Sequence, residues 1–270
     1  IMGRVDIVDD LKAFAKADMI IEAIVETKKA KQVLFHALEA VVRPDAILAS
    51  NTSSLSIADI AEAMRHSERV IGVHFFNPAP AMKLVELVAH NNTNAPTREY
   101  AAEWTKACGK IVIACADRPG FIVNRCARPF YGEALAMLEE GRSASDIDAS
   151  LLAAGYRIGP LSLIDLIGAD INLAATESLA KAMDHHPRYS VYDILRRQVE
   201  QGDLGRKSGK GFLFPDRPGH PPGDAATIVE RVQAVLVNEA CYLRAEGDLS
   251  EENIDTALKL GMNFPQGPFE

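Results

Sequence analysis

Up to about residue 118 the chain alternates short β-branched, apolar runs with stretches of helical periodicity, and this alternation limits the fold more than any other feature. The strand-type runs are RVDIV, DMIIEAIV (18–25), AILAS (46–50), RVIGVHF and KIVIAC. Helix-type stretches lie between them: DLKAFAKA, then 28–42 with Val33, Leu34, Ala37, Leu38 and Val41 on one face, then SIADIAEAM and TREYAAEWTKACGK (97–110). Strand and helix in repetition predict a parallel sheet with helices packed on its faces. After DRPG (117–120) no strand pattern recurs, and a long helix is expected over 120–141 with a kink at Pro129. The expected fold is an α/β parallel sheet followed by an all-α helical domain.

The helical part contains a glycine-rich loop, GDLGRKSGKGF (202–212), and a proline-rich linker, DRPGHPPGD (216–224). The segment after the linker repeats an earlier one, at an offset of about 106–108 residues. Matched positions include Ile122/Ile228, Arg125/Arg231, Glu133/Glu239, Ala134/Ala240, Gly141/Gly247, Asp148/Asp255 and the Gly-Pro pairs at 159–160 and 267–268. The shared Ile-Asp and closing Gly-Pro favour duplication over chance similarity of two amphipathic helices. Asn124 falls opposite Glu230, the one mismatch with chemical meaning. The expected organisation is a sheet domain over 1–118, a helical domain over 119–215, the linker, and a partial second helical repeat over 225–270.

Composition removes several classes of function. With 48% hydrophobic and 24% charged residues the chain has ordinary globular make-up. A net charge of -8 argues against a nucleic-acid partner, which needs clustered Lys and Arg. No apolar run approaches the ~20 residues that span a bilayer, so no membrane partner is expected. The opening IMGRVDIVDD has no signal-peptide pattern, and a cytoplasmic location is expected. Cys108, Cys115, Cys126 and Cys241 form no CxxC pair and read as free thiols of a reducing compartment. His185 and His186 are adjacent with no third ligand spaced to join them, so no metal site is expected.

In a parallel sheet, ligands bind beyond the carboxyl ends of the strands. Glu26, the run Ser50 to Ser54 and His74 all fall at such ends, and Asn77 follows His74 by three residues. Glu86 lies twelve residues after His74, inside the apolar run MKLVELV, where alternation puts it on one face with Leu84. A carboxylate among apolar neighbours needs a partner, because unpaired burial is costly. His74 is placed to be that partner. A carboxylate accepting one ring N–H fixes the tautomer and leaves the other nitrogen free to take a substrate proton, which is general base catalysis. Ser53 or Ser54 as a hydrolytic nucleophile is disfavoured, since no G-x-S-x-G elbow surrounds either.

SNTSSLSI, GVHFFNPAPAMKLVELV, RPGFIVNR and GRKSGKGF together resemble the L-3-hydroxyacyl-CoA dehydrogenase family, in its longer bacterial form with a duplicated helical domain. The resemblance runs over essentially the whole chain. It implies a Rossmann-like sheet domain, NAD as cofactor, and oxidation of the 3-hydroxyl of an acyl-CoA substrate. It also implies that His74 is the base, Glu86 its orienting partner, and Ser53 and Asn124 hydrogen-bond the reacting oxygen, with Ser53 also near the nicotinamide. Glu26, Lys31 and Asn77 match positions at the cofactor's ribose and nicotinamide end, and Lys207 matches more loosely. The apolar surface of the 120–141 helix (Phe121, Ile122, Phe130, Leu135, Leu138) is expected to mark an interface, filled in a homodimer through the helical domain or by the 225–270 repeat packing on the first copy within the chain. No G-x-G-x-x-G turn occurs, so the sheet domain is expected to lack its first β-α-β unit. That gap leaves a second reading open, a catalytically silent acyl-CoA-binding or dimerisation module.

Overall fold

The structure, a computed structural model, describes residues 2–270. It divides into two compact units that meet in sequence between Phe121 and Ile122.

In the first unit, β1 (Met19–Glu22), β2 (Ile47–Ser50), β3 (Val70–Phe75), β4 (Leu84–Ala89) and β5 (Ile111–Ala116) lie side by side in chain order. The β1–β2, β2–β3 and β4–β5 pairs are parallel, and β3–β4 is antiparallel. Residues 76–83 alone join β3 to β4, too few for a crossover of a dozen or more, so the chain must reverse there. The result is a parallel-dominated, Rossmann-like sheet with one reversed pair. Three helices accompany it: α1 (Lys28–Glu39), α2 (Ile57–Ala61) and α3 (Ala95–Ala107). Ser56 and Asn94 cap α2 and α3, accepting from the backbone N–H three residues on, as short polar N-caps do.

The sheet's two faces are distinct. Ile47, Ala49, Ile71, Val73, Val85 and Leu87 pack with Ala101 of α3. The alternate residues face the other way, where α2 presses close. A Cβ at Gly72 would sit 2.8 Å from Val88 Cβ and 2.9 Å from Ile57 Cδ1, so only glycine admits this approach. His74 and Glu86 share the Gly72 face by alternation.

One expected strand does not form. Residues 5–8 of RVDIV run irregularly, with Ile7 97% exposed, because no neighbouring strand takes up their hydrogen bonds. DLKAFAKA likewise gives only a 3₁₀ turn over Leu11–Phe14, held by Asp10 accepting from the Lys12 N–H at 2.9 Å.

The second unit is all helix: α4 (Val123–Glu139), α5 (Ala144–Ala153), α6 (Pro160–Ile167), α7 (Ala169–Ala182), α8 (Asp193–Glu200), α9 (Ala225–Ala245) and α10 (Glu251–Gly261). The duplicated helices α4 and α9 pack on each other, and their ion pairs are reciprocal. Arg125 on α4 donates to Glu239 and Glu246, each at 2.6 Å. Its counterpart Arg231 on α9 donates to Glu133 at 2.7 Å and Glu140 at 2.6 Å. Such exchange of equivalent partners is what a two-fold relation between the copies requires. The closing Gly-Pro segments repeat too. Asp148 accepts from the Leu161 and Ser162 N–H groups, and Asp255 accepts from the Phe269 N–H. The glycine-rich loop wraps Asp165, whose carboxylate accepts from the N–H groups of Phe212, Leu213 and Phe214. A Cβ at Gly211 would lie 2.0 Å from Asp165 Oδ1, so that glycine serves packing against a carboxylate.

Candidate functional site

Antiparallel pairing sets His74 directly opposite Glu86 in the β3–β4 register. His74 Nδ1 and Glu86 Oε2 stand 2.6 Å apart, with Glu86 wholly buried and His74 5% exposed. A charge-assisted hydrogen bond of that length fixes the imidazole plane and tautomer, and Nε2 is left as the working nitrogen. Phe76 and Phe121 bracket the ring at centroid distances of 4.6 and 5.7 Å. Phe121 holds a left-handed backbone, φ 51°, just after the RPG turn, a conformation that side chains adopt at a cost.

A second polar cluster occupies the carboxyl ends of β1 and β2. Glu26 Oε1 accepts from Thr52 Oγ1 at 2.6 Å, the Ser53 N–H at 2.9 Å, and the Ser54 N–H and Oγ at 3.1 and 3.0 Å. Burial pushes the Glu26 carboxyl up, but the Thr52 and Ser53 hydrogen bonds and the Lys31 ammonium outweigh it and hold the group below its ordinary value. Lys31 is 1% exposed and lies 3.2 Å from Glu26 Oε2. Its closer partner is Glu22, in a buried ion pair, and Glu22 also accepts from Ser50 Oγ at 2.7 Å. Asn51 ties this cluster to β3, its Oδ1 accepting from the Phe75 N–H at 2.8 Å. Asp117, after β5, closes the edge by accepting from Ser56 Oγ and from the Ile57 and Ala58 N–H groups at the start of α2.

The residues singled out from sequence thus fall into groups. His74 and Glu86 come together, as do Glu26, Lys31 and Ser53. Asn77 is exposed in the loop after β3. Asn124 and Lys207 belong to the helical unit. Asn124 is half-buried in the first turn of α4, and Lys207 pairs with Asp170 at 2.7 Å. Glu22 and Asp117 escaped the sequence reading, which had Asn51 only within the strand-end run Ser50 to Ser54. Glu22 had a signal: a carboxylate inside the apolar run DMIIEAIV demands a buried cation, and Lys31 sits nine residues on. Among the described residues no group of three or more His, Cys, Asp or Glu is placed to hold a metal, and no helix is long and apolar enough to cross a membrane.

The strand-end cluster offers polar groups suited to the ribose and nicotinamide end of a dinucleotide. A partly exposed carboxylate can accept from ribose hydroxyls, and an ammonium and serine hydroxyls stand beside it at the edge where parallel sheets bind such ligands. These residues fit NAD.

Comparison with known proteins supplies the remaining context. A family model described as 3-hydroxyacyl-CoA dehydrogenase, NAD binding domain, matches residues 1–118. One described as 3-hydroxyacyl-CoA dehydrogenase, C-terminal domain, matches 120–214 and 228–270. A 3-hydroxyadipyl-CoA dehydrogenase of Escherichia coli strain K12 is 47% identical, over 97% of this chain and 74% of that protein. A 3-hydroxybutyryl-CoA dehydrogenase of Mycobacterium tuberculosis is 40% identical, over 78% of this chain and 75% of that one. The crystal structure of a 3-hydroxybutyryl-CoA dehydrogenase from E. coli K12 superposes with a TM-score of 0.89 at 33% identity, covering 97% of this chain and 75% of the other.

Proposed function

This chain belongs to the 3-hydroxyacyl-CoA dehydrogenase family, and we propose that His74 is the base of its reaction and Glu86 the residue that positions it. The enzyme is an NAD-dependent oxidoreductase that converts the 3-hydroxyl of a 3-hydroxyacyl-CoA to a 3-oxo group. A silent acyl-CoA-binding or dimerisation module is the less favoured reading.

NAD, when bound, supplies the hydride acceptor for C3. The chain's own part is the proton. Glu86 accepts the Nδ1–H of neutral His74, so the Nε2 lone pair faces the substrate and takes the hydroxyl proton as the carbonyl forms. The imidazolium that results lies against a buried carboxylate, which favours it in a site of low dielectric. Ser53 and Asn124 are assigned to hold the reacting oxygen, where a donor is worth most as negative charge develops. Glu26, Lys31, Ser53, Asn77 and Lys207 are assigned to the cofactor. The observation that carries this reading is the 2.6 Å His74–Glu86 contact in paired strands at the ligand-binding edge of the sheet. Its test is turnover by His74→Gln with NAD binding measured in parallel.

Residues 119–215 and 225–270, joined by the linker 216–224, are read as a helical domain and a second copy that completes its layer. A homodimer through this helical part is retained, on the strength of Leu166, Ile167 and Ile171, which are 48%, 38% and 53% exposed around the α6–α7 junction. The net charge of -8 argues against a nucleic-acid partner, and a cytoplasmic location fits four cysteines that form no CxxC pair. The relatives' substrates, adipyl and butyryl esters, define the acyl chains to assay first.

A further inference from the structure

Of the buried arginines among the described residues, Arg69 pairs with Glu39 at 3.5 Å and Arg125 with Glu239 at 2.6 Å, whereas Arg128 meets no carboxylate. Arg128 is 8% exposed, on α4. Both of its hydrogen bonds leave from Nη1 and both are long, 3.4 Å to the Asn172 carbonyl and 3.3 Å to Thr176 Oγ1. Its buried Nε has no partner. Asn172 on α7 is 2% exposed, and neither oxygen nor nitrogen of its side-chain amide has a partner. The Tyr131 ring, 4.9 Å from the guanidinium carbon, is the remaining compensation. Cation–π contact and two weak hydrogen bonds do not replace the hydration and counter-charge that a buried guanidinium gives up. A cation and an amide left together in this state have the donor set of a carboxylate site.

Position gives the carboxylate's origin. Arg128 follows Asn124 by four residues on α4, on the same face and about 6 Å along the axis. Asn124 is the residue assigned above to the substrate's 3-oxygen. In a six-carbon dicarboxylic acyl chain the far carboxyl carbon lies three carbon–carbon bonds beyond C3, a reach of about 4 Å before its oxygens are added. A butyryl chain ends one bond beyond C3 and carries only a methyl group there.

We propose that Arg128, with the Asn172 amide, binds a carboxylate at the far end of the acyl chain, and that the substrate class is the 3-hydroxy-dicarboxylic acyl-CoA esters. This rests on the dehydrogenase reading of the site, and Arg128 acts in it as a specificity residue that takes no part in the proton transfer.

The test pairs two esters of equal chain length, 3-hydroxyadipyl-CoA and 3-hydroxyhexanoyl-CoA, with the wild type and Arg128→Met. The wild type should favour the diacid in kcat/KM by at least about tenfold, the worth of one charged hydrogen-bonded contact. Arg128→Met should remove that preference through KM on the diacid, with the hexanoyl ester changed by less than about threefold. Equal losses on both esters would make Arg128 a structural residue and overturn the proposal. So would a wild type with no diacid preference, a result that needs no variant to fold. Calorimetric binding of adipyl-CoA against hexanoyl-CoA separates the two levels of the argument. Diacid preference in binding without oxidation of either ester would end the dehydrogenase reading and leave the carboxylate site standing. Oxidation of both esters with equal binding would do the reverse.

Discussion

Replacing Glu239 by glutamine tests whether burial makes the two halves of the duplication energetically unequal. Glu239 is wholly buried and accepts from Arg125 Nε at 2.6 Å, Arg188 Nε at 2.8 Å and the Tyr189 hydroxyl at 2.5 Å. Glutamine keeps the shape but removes the charge and turns one acceptor into a donor facing guanidinium groups. Arg125, 2% exposed, then keeps only the Glu246 carboxylate nearer the surface. Breaking a buried pair from one side costs about 3–5 kcal/mol, most of it the penalty of the stranded charge. Glu133→Gln breaks the symmetry-related pair, but there the side chains of Arg231 and Glu133 are 36% and 17% exposed, and water can replace the partner. That change should cost about 1 kcal/mol or less. Urea unfolding followed by far-UV circular dichroism reads the helices, with the lone Trp104 as a separate fluorescence probe on the sheet unit. The expected result is a midpoint lowered well below wild type for Glu239→Gln and nearly unchanged for Glu133→Gln. Equal losses would show that burial of the charge does not govern the α4–α9 contact.

Asn124→Ala should lower turnover at least about tenfold, whereas Glu230→Gln, at the equivalent exposed position of the second repeat, should change it less than about threefold; steady-state kinetics decides, and a more damaging Glu230 change would put the second repeat in the active site. Burial pushes the phenols of Tyr131 and Tyr189 up to about 12, and for Tyr189 the Glu239 carboxylate adds to it. These folded values lie above the ordinary one, so their stabilising contribution is intact below pH about 10 and is lost as pH rises to about 12; thermal melts across that window should fall, and less steeply in Tyr189→Phe. Sedimentation should give a homodimer, and a strict monomer would mean that the internal α4–α9 pairing takes the place of the subunit contact.

Period and punctuation made the sheet unit readable. Apolar runs located β2, β3 and β5 within a residue or two, and β2 and β3 are buried on both faces as such runs require, whereas β5 is partly exposed. RVDIV has the same composition but no neighbour to bond, and composition carries no information about neighbours. The reversal of β4 was available from loop length, since eight residues cannot hold a crossover. His74 and Glu86 were legible because a carboxylate in an apolar strand has few ways to be satisfied. The repeat alignment equated Arg125 with Arg231 and Glu133 with Glu239, yet said nothing of each arginine pairing with the other copy's glutamate. Arg128 was hidden for a related reason. An arginine on a helix reads as surface, and only three-dimensional packing reveals that its counter-charge is missing.

The central claim is that His74, held by Glu86, takes the hydroxyl proton. The most direct measurement is single-turnover oxidation of a 3-hydroxyacyl-CoA by His74→Gln, with NAD affinity measured by calorimetry on the same preparation. General base catalysis contributes ~10²–10⁴-fold, so turnover should fall by that order while NAD binds within about threefold of wild type. Glu86→Gln should fall in the same direction by a smaller factor, since the base remains but its orientation is no longer fixed by a carboxylate. Turnover by His74→Gln within about threefold of wild type, with NAD binding intact, would contradict the account.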